Sequence, residues 1–124
     1  MNKMKEVKKE LPFGCFYFFE DYVIGELKEG ILLDKKLNKE MIDLCLDHYS
    51  TKSFVYISNR MQSYAVDPMI YLQCSRIKQL KGIAVVAEKE SQRLNTAIEK
   101  HFFQKPFEAF ESLTEAKIWV STLN

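Results

Sequence analysis

The chain has 124 residues, 47% of them apolar and 28% charged, with 18 basic against 17 acidic side chains for a net charge of +1. That length makes one domain with a core of its own, and that balance excludes a disordered chain. Near-neutrality also gives no reason to expect a nucleic-acid partner, whose phosphates demand a basic surface.

Residues 1–10, MNKMKEVKKE, cluster Lys3, Lys5, Lys8 and Lys9. They read as a polar, basic N-terminal lead-in, solvated or in weak contact with an acidic partner, before an α/β domain over 11–124. Phe13 to Phe19 is almost wholly aromatic and apolar and predicts a strand. After the polar break Glu20-Asp21, Tyr22 to Leu27 predicts a second strand, close enough to pair antiparallel with the first. Gly25 and Gly30 interrupt this region and predict a bulge or bend before Ile31-Leu32-Leu33. A first helix is predicted from Asn38 as N-cap, with Leu37 and Ile42 spaced as a hydrophobic staple. Met41, Ile42, Cys45, Leu46 and Tyr49 recur there at helical period. The short apolar run Phe54 to Ile57 is typical of an interior strand covered on both sides.

Asp67-Pro68 predicts the start of a second helix, because Asp caps free amides and Pro fits the first turn. Ile70, Cys74, Ile77 and Leu80 supply its inward stripe. Gly82 then leads into Ile83 to Ala87, the clearest buried strand of the chain. A third helix is predicted over 90–103 with Leu94, Ala97, Ile98 and Phe102 inward, stopped by Pro106, and Phe107 to Phe110 gives a last strand. Ser112 and Glu115 fit a capping box for a final helix that buries Leu113, Ala116, Trp119, Val120 and Leu123. The order is β-β-α-β-α-β-α-β-α. Strands separated by helices must cross over, so the expected fold class is α/β, a single mixed β-sheet with helices packed against it.

Cys15, Cys45 and Cys74 are an odd number without paired spacing and fit buried free thiols in a reducing cytoplasm. No close Cys/His pair suggests a metal site, and no cofactor motif is present. There is no signal-type apolar segment and no run of membrane-spanning length. The reading is therefore a cytoplasmic protein without integral membrane association.

The element order, together with KGIAVVAEKESQRLNTAIEKHFFQKPFEAFESLTEAKIWV in the carboxyl half, resembles the SpoIIAA-like branch of the STAS fold, named for anti-sigma-factor antagonists. The matching features are packing motifs: a strand, a helix with an aromatic end, a KPF turn, a short strand and a helix carrying EAxxWV. Regulatory members of that family carry a phosphorylatable serine in a D-S-S-G-like motif where the third strand opens into the next helix. The corresponding stretch of this chain, residues 58–68, has neither that motif nor a glycine. Ser63 is the nearest counterpart, since a phosphate there could approach a helix amino terminus.

The resemblance implies a non-enzymatic, regulatory protein-interaction module that presents the loop 58–68 and the following helix to a protein partner. Ser58, Asn59, Arg60, Gln62, Ser63, Tyr64 and Asp67 form the candidate interaction loop, with Arg60 and Tyr64 the side-chain types that anchor interfaces. The alternative is a small apolar ligand or lipid-binding module, for which nine Phe, six Tyr and five Met suffice to line a pocket, although core packing accounts for most of them. An enzyme is the weakest reading. His48 and His101 stand near predicted helix ends, where a histidine more often serves the terminus than catalyses. Cys45 and Cys74 fall on inward stripes, and no GxxxxGK[ST] or GxGxxG occurs. An exposed strand edge or helix face is able to support a homodimer, and nothing in the pattern selects one.

Overall fold

A computed structural model describes residues 7–123. Six strands form the main sheet: β1 (Val7–Leu11), β2 (Gly14–Phe18), β3 (Tyr22–Leu27), β5 (Phe54–Asn59), β7 (Leu80–Val86) and β8 (Phe107–Phe110), in that spatial order. β1, β2 and β3 pair antiparallel, whereas β3, β5, β7 and β8 run parallel. Two short strands, β4 (Leu32–Leu33) and β6 (Ala65–Val66), pair parallel in a separate ladder. Four helices complete the fold: α1 (Lys35–Tyr49), α2 (Ile70–Cys74), α3 (Glu90–Phe102) and α4 (Leu113–Ser121). The mixed α/β sheet expected from the sequence is thus present.

The parallel strands advance in one direction across the sheet. Right-handed crossovers then put every connecting helix on one face. The core divides accordingly. On the face of α1 to α3, Phe16, Val23, Phe54, Ile83 and Val85 pack with Met41, Cys45, Ile70 and Phe103. Behind the sheet, Ile24, Val55, Ile57, Ala84 and Val86 pack under Ala116 and Val120 of α4. Consecutive β5 residues alternate between these clusters, as the pleat requires.

Several expectations are corrected. Residues 7–10, assigned to the lead-in, belong to edge strand β1; residues 1–6 lie outside the described chain. β1 is exposed on both faces, so it lacks the alternation that marks a half-buried strand, and Lys8 and Lys9 are typical guards of an open edge. The cap of α1 is Asp34, whose Oδ1 accepts the Leu37 amide at 3.1 Å; Asn38 lies one turn inside, buried, so Leu37 and Ile42 are no staple. There is no bulge at Gly25. The bend comes at Gly30, whose φ of 81° is the left-handed region glycine adopts freely.

Helix α2 is only five residues long, not a helix reaching Leu80, because Ser75 to Gln79 unwinds and Leu80 already belongs to β7. Asp67 and Pro68 form a turn ahead of it: the Asp67 carboxylate accepts the Met69 amide at 3.0 Å, and the Asp67 carbonyl accepts that of Ile70 at 3.1 Å. Most consequential is α3. It buries Thr96 and Glu99, while Leu94, Ala97 and Ile98, expected inward, face out.

Candidate functional site

The carboxyl ends of parallel strands are where open α/β sheets gather their functional groups. β5 ends there in Ser58 and Asn59, both buried, and the chain turns at Arg60 into the loop that returns through β6 to α2. Asn59 points behind the sheet and donates from Nδ2 to Glu26 Oε2 at 2.9 Å on β3. Arg60, expected as an exposed contact, is turned inward. Its Nη1 and Nη2 donate to Glu99 Oε2 and Oε1 of α3 at 2.8 and 2.6 Å, and the two side chains are only 12% and 11% exposed. This is a bidentate, nearly desolvated ion pair, the strong kind.

Three further groups close around it. Tyr71 of α2 donates to Glu99 Oε1 at 2.5 Å. The Arg60 Nε donates to Ser58 Oγ at 3.1 Å, and Ser58 Oγ shares a 3.1 Å hydrogen bond with the Tyr64 hydroxyl. The Tyr64 ring also lies under the guanidinium, 5.6 Å from centroid to Cζ. Burial works against the charge on Arg60, yet the hydrogen bonds to Glu99 together with the electrostatic pull of Tyr64, Tyr71 and Glu99 more than offset it and hold the guanidinium above its ordinary range. Burial pushes the Tyr71 phenol well above its ordinary value, with the carboxylate of Glu99 adding to the effect and Arg60 opposing it. The Arg60 guanidinium therefore keeps its charge, and the Tyr71 phenol its proton, near neutral pH.

Of the seven loop residues singled out, Ser58, Arg60 and Tyr64 meet in this cluster and Asn59 joins a separate bond. Gln62 and Ser63 are exposed, and Asp67 serves its own turn. Ser63 is held through its carbonyl, which accepts the Gly30 amide at 2.9 Å. It lines a surface cleft that also takes in Lys89, the N-cap of α3, and Ser112, the N-cap of α4.

Sequence reasoning missed Glu99 and Tyr71. Both occupy stripes of their helices that looked dispensable, and only the fold brings them to Arg60, 39 and 11 residues away. It also missed Asn38, which donates to Gln73 Oε1 at 2.8 Å and ties α1 to α2.

The cluster separates two spaces. Inside, between α1, α2 and the sheet, lies an apolar cavity of about 50 Å³ lined by Met41, Cys45, Tyr56, Ile70 and Tyr71 among others. Outside, a cleft of about 400 Å³ runs between the loop and α3, with Tyr64, Val66 and Pro68 on one side and Gln92, Asn95 and Ile98 on the other. Arg60 and its neighbours are the wall between them. The Tyr56 hydroxyl is sealed from solvent without a hydrogen-bond partner, crowded against Gly25, where a Cβ would come within 2.1 Å of it. Burial raises its pKa well above the ordinary tyrosine value.

Reactive groups are scarce at this site. Burial pushes the Cys45 thiol up to about 12 and the Cys74 thiol up to about 11, so neither is a thiolate at neutral pH. Among the described residues, no group of three or more His, Cys, Asp and Glu is placed to hold a metal, and no helix is long and apolar enough to cross a membrane.

No protein-family model matches the chain, and no curated protein matches it. Among solved structures it is similar to an uncharacterized protein of the DUF3478 family with a SpoIIAA-like fold from Shewanella loihica PV-4. The TM-score is 0.55 at 14% sequence identity, over 97% of this chain and 95% of the other. The chain has the SpoIIAA-like fold. At that identity the likeness concerns architecture alone.

Proposed function

We propose that this protein is a non-enzymatic interaction module with a regulatory role, and that its contact surface is the outer side of α2 and α3 rather than the loop side chains themselves. One observation carries this. Met69 and Leu72 stand 43% and 37% exposed on and beside α2, and Leu94 and Ile98 stand 67% and 62% exposed on α3. Single exposed apolar residues are ordinary, but a pair on or beside each of two helices that touch, with Ile98 lining the cleft beside the loop, supports reading this side as an interaction surface. The loop 58–68 then acts as the frame: its Arg60 fixes α3 to the sheet and so sets how the apolar residues are presented. Three unpaired cysteines fit work in a reducing compartment such as the cytoplasm. The test is affinity capture from the host with the wild-type chain and with a Leu72→Glu, Ile98→Glu double variant. Proteins retained by the first and lost from the folded second support the reading; an identical set on both defeats it.

The internal cavity favours a second reading, a site for a small apolar ligand. Its size decides the ranking. A cavity of about 50 Å³ holds a few waters at most, well below the ~150 Å³ that accommodates a benzene ring. A ligand would have to push aside a wall, and α2, barely more than one turn long, is the part of that wall with least structure of its own. Isothermal calorimetry with short aliphatic alcohols and acids checks this; saturable binding lost in Met41→Trp would promote the second reading over the first.

A further inference from the structure

The crossovers between the parallel strands are unequally built. α1 and α3 carry theirs over 15 and 13 residues, whereas α2 has five and no side-chain cap, and the chain then runs irregularly to β7. A helix that short does not hold itself together in water. The segment 68–78 is fastened at its two ends. The Asp67 amide donates to the Leu33 carbonyl of β4 at 3.0 Å, and the Phe54 amide of β5 donates to the Gln79 carbonyl at 2.9 Å. Between those points, among the described residues, the backbone hydrogen bonds join near neighbours, from Tyr71 to Pro68 through Ile77 to Cys74. Side chains dock the middle. Asn38 donates to Gln73, the Gln104 amide donates to Ser75 Oγ at 3.0 Å, Lys105 Nζ donates to the carbonyls of Ile77 and Leu80, and Tyr71 donates to Glu99. All but the last are part-buried or exposed, where water replaces a lost partner at little cost.

We propose that residues 68–78 form a strap that lifts from the sheet as a unit while the rest of the domain stays folded. Local opening of this kind falls to segments whose hydrogen bonds are local and whose buried apolar area is small. This one fully buries only Ile70, Tyr71 and Cys74. Those three side chains line the internal cavity, and Met69 and Leu72 stand exposed on the same segment. Lifting the strap therefore turns the enclosed cavity into an open groove and displaces the exposed apolar pair in one movement. The movement requires neither a partner nor a ligand, so its test stands apart from both readings of function.

Thiol labelling of the full chain with a chromogenic aromatic disulfide tests this, from zero urea to just below the unfolding transition. Cys15→Ser with Cys45→Ala leaves Cys74 as the single thiol, on the strap. The reference is Val120→Cys in a chain whose own three cysteines are replaced, a thiol in the core behind the sheet. Cys74 should react at least about thirtyfold faster than the reference, at a rate nearly flat in low urea, because lifting the strap exposes little surface. The reference should follow the steep urea dependence of global unfolding. Ile57→Val, behind the sheet, should speed the reference about fivefold and leave Cys74 unchanged, since its packing persists when the strap lifts. Lys105→Met should speed Cys74 about tenfold, since its two bonds break on lifting. Peptide mapping of the labelled wild-type chain reads Cys74 without any substitution. A Cys74 that reacts no faster than the reference, with the same urea slope, overturns the proposal. So does labelling of Cys74 that Ile57→Val speeds as much as the reference, or that Lys105→Met leaves unchanged.

Discussion

Helices α3 and α4 cover the same sheet from opposite sides and obey opposite rules. α4 follows its apolar stripe: Ala116 and Val120 are buried against β5 and β7, with Leu113, Trp119 and Leu123 at the margin of the same cluster. α3 has a stripe of similar spacing in Leu94, Ala97 and Ile98, yet places Thr96 and Glu99 inward. The difference lies in what each helix meets. Behind the sheet α4 packs on aliphatic and aromatic side chains, so burying apolar area is the available gain. In front, α3 finds Arg60 at the end of β5, a cation that cannot be left buried alone, and a bidentate carboxylate outweighs two aliphatic contacts. One helix is placed by the hydrophobic effect and the other by an ion pair.

The comparison breaks most readily at that pair. Arg60→Met leaves the Glu99 carboxylate buried without its cation and should cost about 3–5 kcal/mol in urea denaturation, whereas Arg60→Met with Glu99→Leu should recover most of it. A loss under 1 kcal/mol for the single variant would mean that α3 is held by something else. Polar substitution should separate the two helices next. Val120→Asn on α4 should cost about 3 kcal/mol through lost apolar burial and an unmet amide, while Ile98→Asn on α3, measured at low micromolar concentration, should stay within about 0.5 kcal/mol.

Gly25→Ala probes the α3 side at the sheet surface. Its new methyl collides with the Tyr56 hydroxyl and should lower stability by about 1–3 kcal/mol. Tyr56→Phe should relieve that collision and by itself raise thermal stability slightly, because the hydroxyl it removes has no partner. Smaller still, Asp34→Ala should cost about 1 kcal/mol as the loss of a helix cap, a value that Ser112→Ala on α4 should match.

A separate effect lies on the alkaline side. The folded chain holds the Cys45 and Cys74 thiols protonated to about 12 and about 11 against an ordinary 9.0. That contribution is complete below pH 9.0 and is lost as pH rises through the folded values, so melting temperature should fall across this window. A Cys45→Ala, Cys74→Ala variant should show a shallower fall, and an unaltered slope would contradict the burial of both thiols.

Legibility followed the same divide. Tyr22–Leu27 and Phe107–Phe110 stand where their patterns put them, and the Ser112 cap closes on the Glu115 amide at 3.3 Å. Those signals are local, since a strand's apolar run and a cap's oxygen act within a few residues. β1 was illegible because an edge strand wet on both faces has the composition of a tail. The β4–β6 pair was illegible because two residues per strand leave no period to read. At the candidate site the loop was placed correctly between β5 and the next helix, but Arg60 was read as a contact when it is a clamp.

Sequence alone thus determined the class of fold, the succession of most elements, the absence of paired cysteines and the position of the loop at the sheet's carboxyl edge. Each rests on periodicity or on chemistry between near neighbours. Tertiary structure alone decided which face α3 turns inward, that Arg60 and Glu99 share a buried bond, that α2 stops after five residues, and that Leu94 and Ile98 are left exposed. Those outcomes depend on what stands opposite each residue across the sheet, and a helix stripe reports only which of its sides differ, not which will be covered.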